Sequence, residues 1–389
     1  KIFVLSMKKN MKQKIERDNY FMEQALLEAQ QGLFTAHPNP RVGCIFVKNE
    51  NIIARGAHIA TGYRHAEVQA IHHATQSLMD STCYVTLEPC THTGHTPPCV
   101  DTLIAQKIQR CVIATVDPNP KVSGRGIQKL KASGIVVDVG IKQEEAQALN
   151  PGFFKRMLSN KPFVFAKIAS SLDGKTGMLT GESQWITSNA SRLDAHYYRA
   201  RVGAIITSWK TVNMDDPSLT VRAPEILNQI PHPEFYKQPV RIILDTHLKT
   251  KPTAKIFDQA GTTWVMIRKN TTYEKIRTWQ TQLKNPANTK IVAIPCLQNR
   301  LNLQALLYLL AENQINEVLL ECGSNLLGAF LQEKLIDTCI FYFAPKILGS
   351  KTQGMFNLPL ENLTSHIPLK ITTVEKLQED VKIIASCTE

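Results

Sequence analysis

The sequence predicts an α/β protein built as two domains, and three observations lead there. Short apolar runs alternate with amphipathic stretches of helical spacing along the whole chain, the pattern of sheets covered by helices. At 389 residues the chain exceeds one ordinary hydrophobic core. With 43% apolar and 20% charged residues it can bury two cores and shows no compositional sign of disorder.

The first residues, "KIFVLSMKKNMKQK", carry an apolar run too short for a signal peptide, with lysines on its wrong side. They read as a frayed leader whose biological start is Met7 or Met11. "YFMEQALLEAQQ", from Tyr20, has helical spacing and stops at Gly32. "VGCIFVKNENIIARGAHI" reads as a hairpin turning near "KNEN". "AEVQAIHHATQS" is then a helix, "STCYVTLEPC" a strand, "CVDTLIAQKI" a helix and "RCVIATV" a strand. That alternation predicts a three-layer domain. Loop, helix and strand recur in "DPNPKVSGRGIQKLKASGIVVDVG", and one helix, "KQEEAQALNPGFFKRM", closes the unit. A boundary near residue 160 divides the chain into domains over 1–160 and 161–389. Beyond it "KPFVFAKIA", "VGAIITS", "VRIILD", "TTWVMI", "KIVAIP", "EVLLEC" and "TCIFYFAP" are short apolar strands. Helices such as "LQALLYLLAENQ" lie between several of them, so the second domain is also α/β.

No stretch approaches the roughly 18 apolar residues of a membrane span, which predicts a cytoplasmic chain. The nine cysteines form no dense framework and point to reduced thiols with a metal site rather than disulfides. The net charge of +12 admits nucleic acid or anionic small molecules. Basic residues are spread over the chain with no run of five, which weakens the nucleic-acid reading.

A catalytic zinc keeps three protein ligands and an open position where water is acidified. His65, Cys90 and Cys99 can supply that trio. His65 and Glu67 open a helix, so an imidazole takes the metal while a carboxylate two residues on reaches the water; Cys90 follows Pro89 at a strand end. Nucleobase deaminases combine such a His, a non-ligand Glu and a P-C-x-x-C pair. Here the second cysteine comes nine residues after the first. The intervening "THTGHTPP" brings rivals, His92 and His95, for the place of Cys99. A lone His-x-Glu is usually a solvated surface pair; the Pro-Cys and a second nearby Cys tip the balance to a metal. His72 and His73 read as ordinary helix residues, and Cys44, Cys83, Cys111, Cys296, Cys322 and Cys339 as buried small hydrophobes.

Two decoys fall away. "ASSLDGKT" matches a relaxed phosphate-binding loop, but "GMLTGESQW" follows it instead of a helix. "SGRGI" lacks the later glycine and acidic residue of a dinucleotide fingerprint.

In order, "HPNPRVGC", "HAEVQA", "VTLEPCTHTGHTPPC", "DPNPKVSGRGI", "SSLDG", "GESQWIT", "DDPSLTVR", "RIILD" and "APKILG" cover nearly the whole chain. Together they resemble one family, the bifunctional deaminase/reductase of riboflavin biosynthesis. The resemblance implies a cytidine-deaminase-like first domain and a dihydrofolate-reductase-like second one. It further implies zinc on His65, Cys90 and Cys99, the long cysteine spacing being that family's pattern. The implied reactions are deamination of 2,5-diamino-6-(ribosylamino)pyrimidin-4-one 5'-phosphate, with Glu67 as proton shuttle, and then reduction of the ribosyl group to ribityl by NADPH. Asn39 would hydrogen-bond the ring, and the loop of Lys121, Ser123 and Arg125 would hold the phosphate.

Carried over by motif, the cofactor side includes Ala169, Trp185, Thr211 and Asp215 in the loop "TVNMDD", Thr246, and the run Gly323, Ser324, Asn325, Leu326, Leu327, Gly328 and Ala329. That run follows a strand and opens a helix, whose amides favour anions. The substrate side includes Ser183, Arg199, Leu219, Arg222 and Glu321. Arg199 and Arg222 could clamp one phosphate, although either arginine alone reads as a surface charge. Lys167 and Asp173 would shape the hydride-transfer site. The implied partners are a small phosphorylated pyrimidine and a second copy in a homodimer, with no nucleic acid and no membrane. The alternatives are a transfer-RNA or nucleobase deaminase with an unrelated second domain, and a non-catalytic zinc module that binds RNA. Glu67 argues against the latter, since a closed structural site has no use for it.

Overall fold

The protein is described by a computed structural model over residues 2–91, 98–120 and 122–387. It divides into two compact units, Lys1–Ser159 with Ile230–Tyr236, and Asn160–Gln229 with Lys237–Glu389. The small excursion Ile230–Tyr236 belongs with the first unit, where the Phe235 ring lies 5.5 Å from that of Tyr63. A single cut in the sequence does not describe that division.

In the first unit, α1 (Ile2–Ala29) precedes the hairpin β1 (Gly43–Lys48) and β2 (Asn51–Ala57). Its turn residues Asn49 and Glu50 both take positive φ, 50° and 62°, which matches the twist of the strands they join. Then come α2 (Ala66–His72), β3 (Thr82–Val85), α3 (Cys99–Ala105), β4 (Arg110–Ile113), α4 (Arg125–Ala132) and β5 (Val136–Val139). The sheet order is β2-β1-β3-β4-β5, antiparallel up to β3 and parallel from β3 to β5. Strand residues alternate between two cores, because successive side chains point to opposite faces. Cys44, Phe46, Cys83, Val85, Cys111 and Ile113 pack on one side with Ala66, Ala70, Val100, Leu103 and Leu130 of α2, α3 and α4. Ile45, Val47, Tyr84 and Val112 face Phe21, Met22 and Ala25 of α1 on the other. The predicted three layers are present.

Two expectations need correction. The leader is helical, α1 starting at Ile2 rather than Tyr20. No glycine or proline interrupts residues 2–19, so the packed half of the helix propagates through them. The single closing helix is two, α5 (Gln143–Leu149) and α6 (Pro151–Ser159). Pro151 lacks an N–H and pushes Asn150 out of the helical region. The freed Asn150 side chain instead accepts from Arg41 N at 2.7 Å and donates to Arg41 O at 2.8 Å.

The second unit runs β6 (Phe163–Ser171), β7 (Lys175–Met178), α7 (Asn189–Arg201), β8 (Ala204–Ser208), α8 (Trp209–Asp215), α9 (Pro224–Leu227), β9 (Val240–Leu244) and β10 (Thr263–Arg268). It continues with α10 (Tyr273–Gln280), β11 (Thr289–Ile294), β12 (Cys296–Leu297), β13 (Arg300–Leu301), α11 (Leu303–Glu312), β14 (Glu317–Leu320) and α12 (Ser324–Gln332). Last come β15 (Thr338–Ala344), β16 (Thr352–Gly354), β17 (Leu369–Leu377) and β18 (Asp380–Cys387). Nine strands form one sheet in the order β11-β10-β9-β8-β14-β6-β15-β18-β17. It is parallel from β11 to β15, with an antiparallel end at β18 and β17. Both faces are covered, which explains why the parallel strands read as continuous apolar runs. Val164, Ile206, Ile242, Met266 and Leu320 pack with α11 and α12; Phe165, Ile205, Ile243, Val265 and Leu319 pack with α7, α8 and α10.

The sequence reading passed over β17 and β18. β17 is an edge strand whose residues are exposed apart from half-buried Leu377, so it lacks an apolar alternation. Cys296 is likewise not a buried hydrophobe: it opens a two-residue surface strand and is exposed, while Cys322 is half-buried. The phosphate-loop lookalike leads into β7, a strand, as the absent helical period required. Among the described residues no helix is long and apolar enough to cross a membrane.

Candidate active sites

In the first unit three donors converge: a ring nitrogen of His65 and the sulfurs of Cys90 and Cys99 lie within 4.8 Å of one another. His65 is the N-cap of α2, Cys99 the first residue of α3, and Cys90 stands in the loop after β3. His65 Nδ1 is 3.2 Å from Cys99 Sγ and 3.5 Å from Cys90 Sγ. Cys99 N donates to Cys90 Sγ at 3.5 Å. A hydrogen bond from the Cys99 thiol, with that of His65, holds Cys90 down to about 4. The same bond, with burial, pushes Cys99 up. His65 is raised, first by its bond to Cys90. One imidazole and two sulfurs already sharing protons at hydrogen-bond range are the donor set and spacing that suit zinc, which would displace those protons. His92, His95 and Lys121 lie outside the described residues.

Glu67, in the first turn of α2, is 4% exposed, and burial pushes its carboxyl up to about 7. A group that titrates near neutrality beside a metal trio is suited to carry protons. His58, at the end of the first hairpin, went unremarked in the sequence reading; its signal is a polar ring closing the apolar strand "IIARGAHI". Burial pushes it down to about 4. Its Nδ1 lies 3.0 Å from the Arg64 carbonyl and its Nε2 3.0 Å from Asn39 Nδ2. A carbonyl only accepts, so Nδ1 carries the hydrogen and Nε2 accepts from Asn39. Asn39 is thereby oriented by a neutral histidine whose ring packs edge-on to His65 at 5.4 Å.

The expected phosphate loop is otherwise engaged. Its amides Gly124 N and Gly126 N donate at 2.9 Å to the two carboxylate oxygens of Glu88, joined by Asp117 N and Ile127 N at 3.3 Å. The start of α4 is an anion site filled by the protein's own carboxylate. Ser123 and Arg125 are left exposed on its rim.

In the second unit the predicted residues gather at the carboxyl ends of neighbouring parallel strands, where such sheets bind ligands. Ala169 is near the end of β6, Thr246 follows β9, Glu321 follows β14, and Thr211 and Asp215 follow β8. Thr211 and Asp215 are in α8 rather than a loop, because Ser208 caps it by accepting from Thr211 N at 3.3 Å. Ser183 Oγ donates to Asp215 at 3.2 Å. Trp185 is 62% exposed with the Arg192 guanidinium 4.7 Å above its ring. Leu219 is buried at a φ of 49°, so only its backbone can meet a ligand.

Arg199 is not a surface charge. Its Nε and Nη2 donate to the two oxygens of Glu321 at 2.5 and 2.9 Å, and its Nη1 to Thr220 O at 3.2 Å. Burial raises Glu321 but the Arg199 charge outweighs it, holding the carboxyl down to about 2. Lys167 Nζ sits 3.9 Å from the same carboxylate, and burial lowers its pKa. The Nε–Nη2 fork of Arg199 is thus taken by Glu321, which leaves one N–H on each of Nη1 and Nη2. Asp173 accepts from Ser171 Oγ at 2.5 Å and from the amides of Leu348 and Gly349 at 3.1 and 2.9 Å, fastening "SSLDG" to "APKILG".

Gly323 is the N-cap of α12 and has no side chain to occupy the helix's first amides, which fits a cofactor phosphate there. Ser324, Asn325 and Leu326 follow in its first turn and Ala329 lies half-buried one turn on. Leu327 and Gly328 turn inward instead. Leu327 is in the core, and a Cβ on Gly328 would come within 2.2 Å of Asn357 O, so that glycine serves close packing.

Comparison with known proteins returns two family profiles: "RibD C-terminal domain" matches residues 162–383, and "Cytidine and deoxycytidylate deaminase zinc-binding region" matches 15–115. The riboflavin biosynthesis protein RibD of Escherichia coli (strain K12) is 43% identical over 369 residues, covering 94% of this chain and 98% of that protein. RibD of Aquifex aeolicus (strain VF5) is 39% identical over 370 residues, 95% and 98% of the two chains. Among solved structures, Acinetobacter baumannii RibD aligns with a TM-score of 0.86 at 39% identity over 96% of this chain and all of the other. A Thermotoga maritima diaminohydroxyphosphoribosylaminopyrimidine deaminase/5-amino-6-(5-phosphoribosylamino)uracil reductase aligns with a TM-score of 0.84 at 31% identity and the same coverage.

Proposed function

The chain belongs to the RibD family of riboflavin biosynthesis proteins, and on that premise we propose how its residues divide two reactions between two units. It is a bifunctional enzyme of riboflavin biosynthesis, a zinc-dependent deaminase and an NADPH-dependent reductase. The observation that carries the reading is the His65, Cys90 and Cys99 cluster with buried Glu67 beside it, in a chain whose 162–383 match the RibD C-terminal domain. That match also removes the alternative of a deaminase with an unrelated appendage.

In the first unit His65, Cys90 and Cys99 would hold zinc, which would supply water acidic enough to attack at neutral pH. Glu67 would accept one proton from the attacking water and give it to the pyrimidine ring, then carry a second proton, from the hydroxyl formed at the ring carbon, to the departing ammonia. Asn39, fixed by His58, hydrogen-bonds the ring. In the second unit NADPH, when bound, would supply the hydride that reduces the sugar carbon. Gly323, Ser324 and Asn325 at the start of α12 receive its phosphates, with Ala169, Trp185, Thr211, Asp215 and Thr246 around it. Ser183, Leu219, Arg222 and the Arg199–Glu321 pair line the substrate side, with Arg222 on the phosphate. Lys167, with its proton loosened by burial, is the donor to the opening ribose oxygen. The enzyme acts on a small phosphorylated pyrimidine, in the cytoplasm, as a homodimer.

The test follows ammonia release and NADPH absorbance together, with zinc-loaded protein and the diaminopyrimidine ribotide. Ammonia should appear first and NADPH oxidation should depend on it. Ammonia without any NADPH oxidation, even when the uracil ribotide is supplied, would remove the reductase half.

A further inference from the structure

His196 has no place in the roles above. It lies on α7 one turn before Arg199, a spacing that puts both side chains on one helix face. It is 9% exposed, and its Nδ1 is buried with no hydrogen-bond partner among the described residues. Native interiors seldom leave a polar atom so, because desolvation is then uncompensated. The ionised groups that act on the ring are Arg199, Arg222 and Glu321, three residues on separate segments assigned to the substrate. Burial foremost, and then the two guanidinium charges, push it down to about 4, so the imidazole is neutral and keeps one N–H.

Three of the five N–H groups of Arg199 are already committed to Glu321 and Thr220. An anion arriving here feels that charge and must find most of its hydrogen bonds elsewhere. Arg222 is exposed, and His196 on the same face as Arg199 has a buried nitrogen without a partner. We propose that His196 Nδ1–H donates to the phosphate of the ribosyl-phosphate substrate, completing with Arg222 an anion site that Arg199 borders. The inference rests on the reductase reading of this unit, which it deepens by assigning a phosphate-recognising residue.

Calorimetric titration of the full chain with ribose 5-phosphate, inorganic phosphate and ribose tests it, on wild type, His196→Asn and His196→Leu. Asparagine can place an amide N–H near the position of Nδ1; leucine cannot. His196→Leu should weaken ribose 5-phosphate and phosphate binding by about 10- to 100-fold, the range for a bond to a charged acceptor. Ribose binding should not change. With the uracil ribotide, His196→Leu should raise KM and leave kcat in place, and His196→Asn should restore most of the affinity. Equal binding by all three proteins, or equal loss in both variants, overturns the proposal. If the leucine variant does not fold, the wild-type nitrogen resonance of Nδ1 decides: a shift on adding inorganic phosphate supports the contact, and no shift refutes it. Phosphate binding that depends on His196 in a protein that never oxidises NADPH would sink the reductase reading and leave this one standing.

Discussion

Glu88→Gln is the sharpest perturbation of the first unit. Glu88 is 3% exposed and accepts four backbone N–H groups, two at 2.9 Å and two at 3.3 Å, from the loop that starts α4. It stands two residues before Cys90, and α4 lies so close that a Cβ on Gly126 would fall 2.3 Å from Pro89 O. The carboxylate thus pins the Cys90 loop to a helix. In the amide, one oxygen becomes a donor and faces two donors. Each bond to a charged acceptor contributes roughly 1.5–3 kcal/mol, and the amide keeps one oxygen with its two bonds, so at least about 3 kcal/mol should be lost. All four tryptophans, Trp185, Trp209, Trp264 and Trp279, are in the second unit. Urea unfolding should therefore shift the circular-dichroism transition of the first unit and leave the tryptophan fluorescence transition where it was. Zinc should also leave the variant faster to a chelator. A variant within about 0.5 kcal/mol of wild type, the usual range for surface substitutions, would refute the argument that this carboxylate holds the loop.

Four further outcomes are expected. Glu67→Gln should retain zinc and lose ammonia release, measured by metal analysis and an ammonia assay; deamination at the wild-type rate would end its assignment as proton carrier. In metal-free protein the Glu67 carboxyl is raised from 4.5 to about 7, so its stabilisation is fully present below 4.5 and is lost as pH rises to 7 and beyond. Wild type minus Glu67→Gln should accordingly show stability falling by about 3 kcal/mol across that window in the apo protein, and a flat difference would contradict it. Cys99→Ser should lower zinc content far more than His92→Ala or His95→Ala, and the opposite order would replace Cys99 in the ligand set. Arg222→Ala should slow reduction and spare deamination, whereas Arg199→Ala strands buried Glu321 and should also lower the melting temperature of the second unit.

Much of this was legible in the sequence because it is local. The strands of both units announce themselves as apolar runs, and His65 with Glu67 is read from one helix start. The chain could not reveal what its loop amides would bind: "SGRG" looks ready for a phosphate, and only the tertiary fold brings Glu88 from 36 residues away to Gly124. The same holds for Arg199, whose partner Glu321 is 122 residues distant. Separation of that size leaves no periodic trace. Leu327 and Gly328 show the converse limit: the motif run includes them, but helical geometry turns them to the core. The edge hairpin of β17 and β18 escaped notice because one strand buries almost nothing.

These two long-range carboxylates differ in a way that bears on function. Glu88 spends all its acceptors on backbone amides, so it is structural and leaves no opening for a ligand. Glu321 is held ionised by Arg199 in a bidentate pair and has Lys167 3.9 Å from one oxygen. A buried pair of this kind is close to neutral overall and adds little stability over apolar packing. What it provides is a preset guanidinium that cannot turn away and a carboxylate oxygen near a loosened lysine proton. An entering phosphate would therefore meet fixed positive charge without disrupting the pair, with Arg222 and the proposed His196 donor beside it. The Arg199 side chain, expected from the sequence as half of a clamp, is in the fold held in place by Glu321.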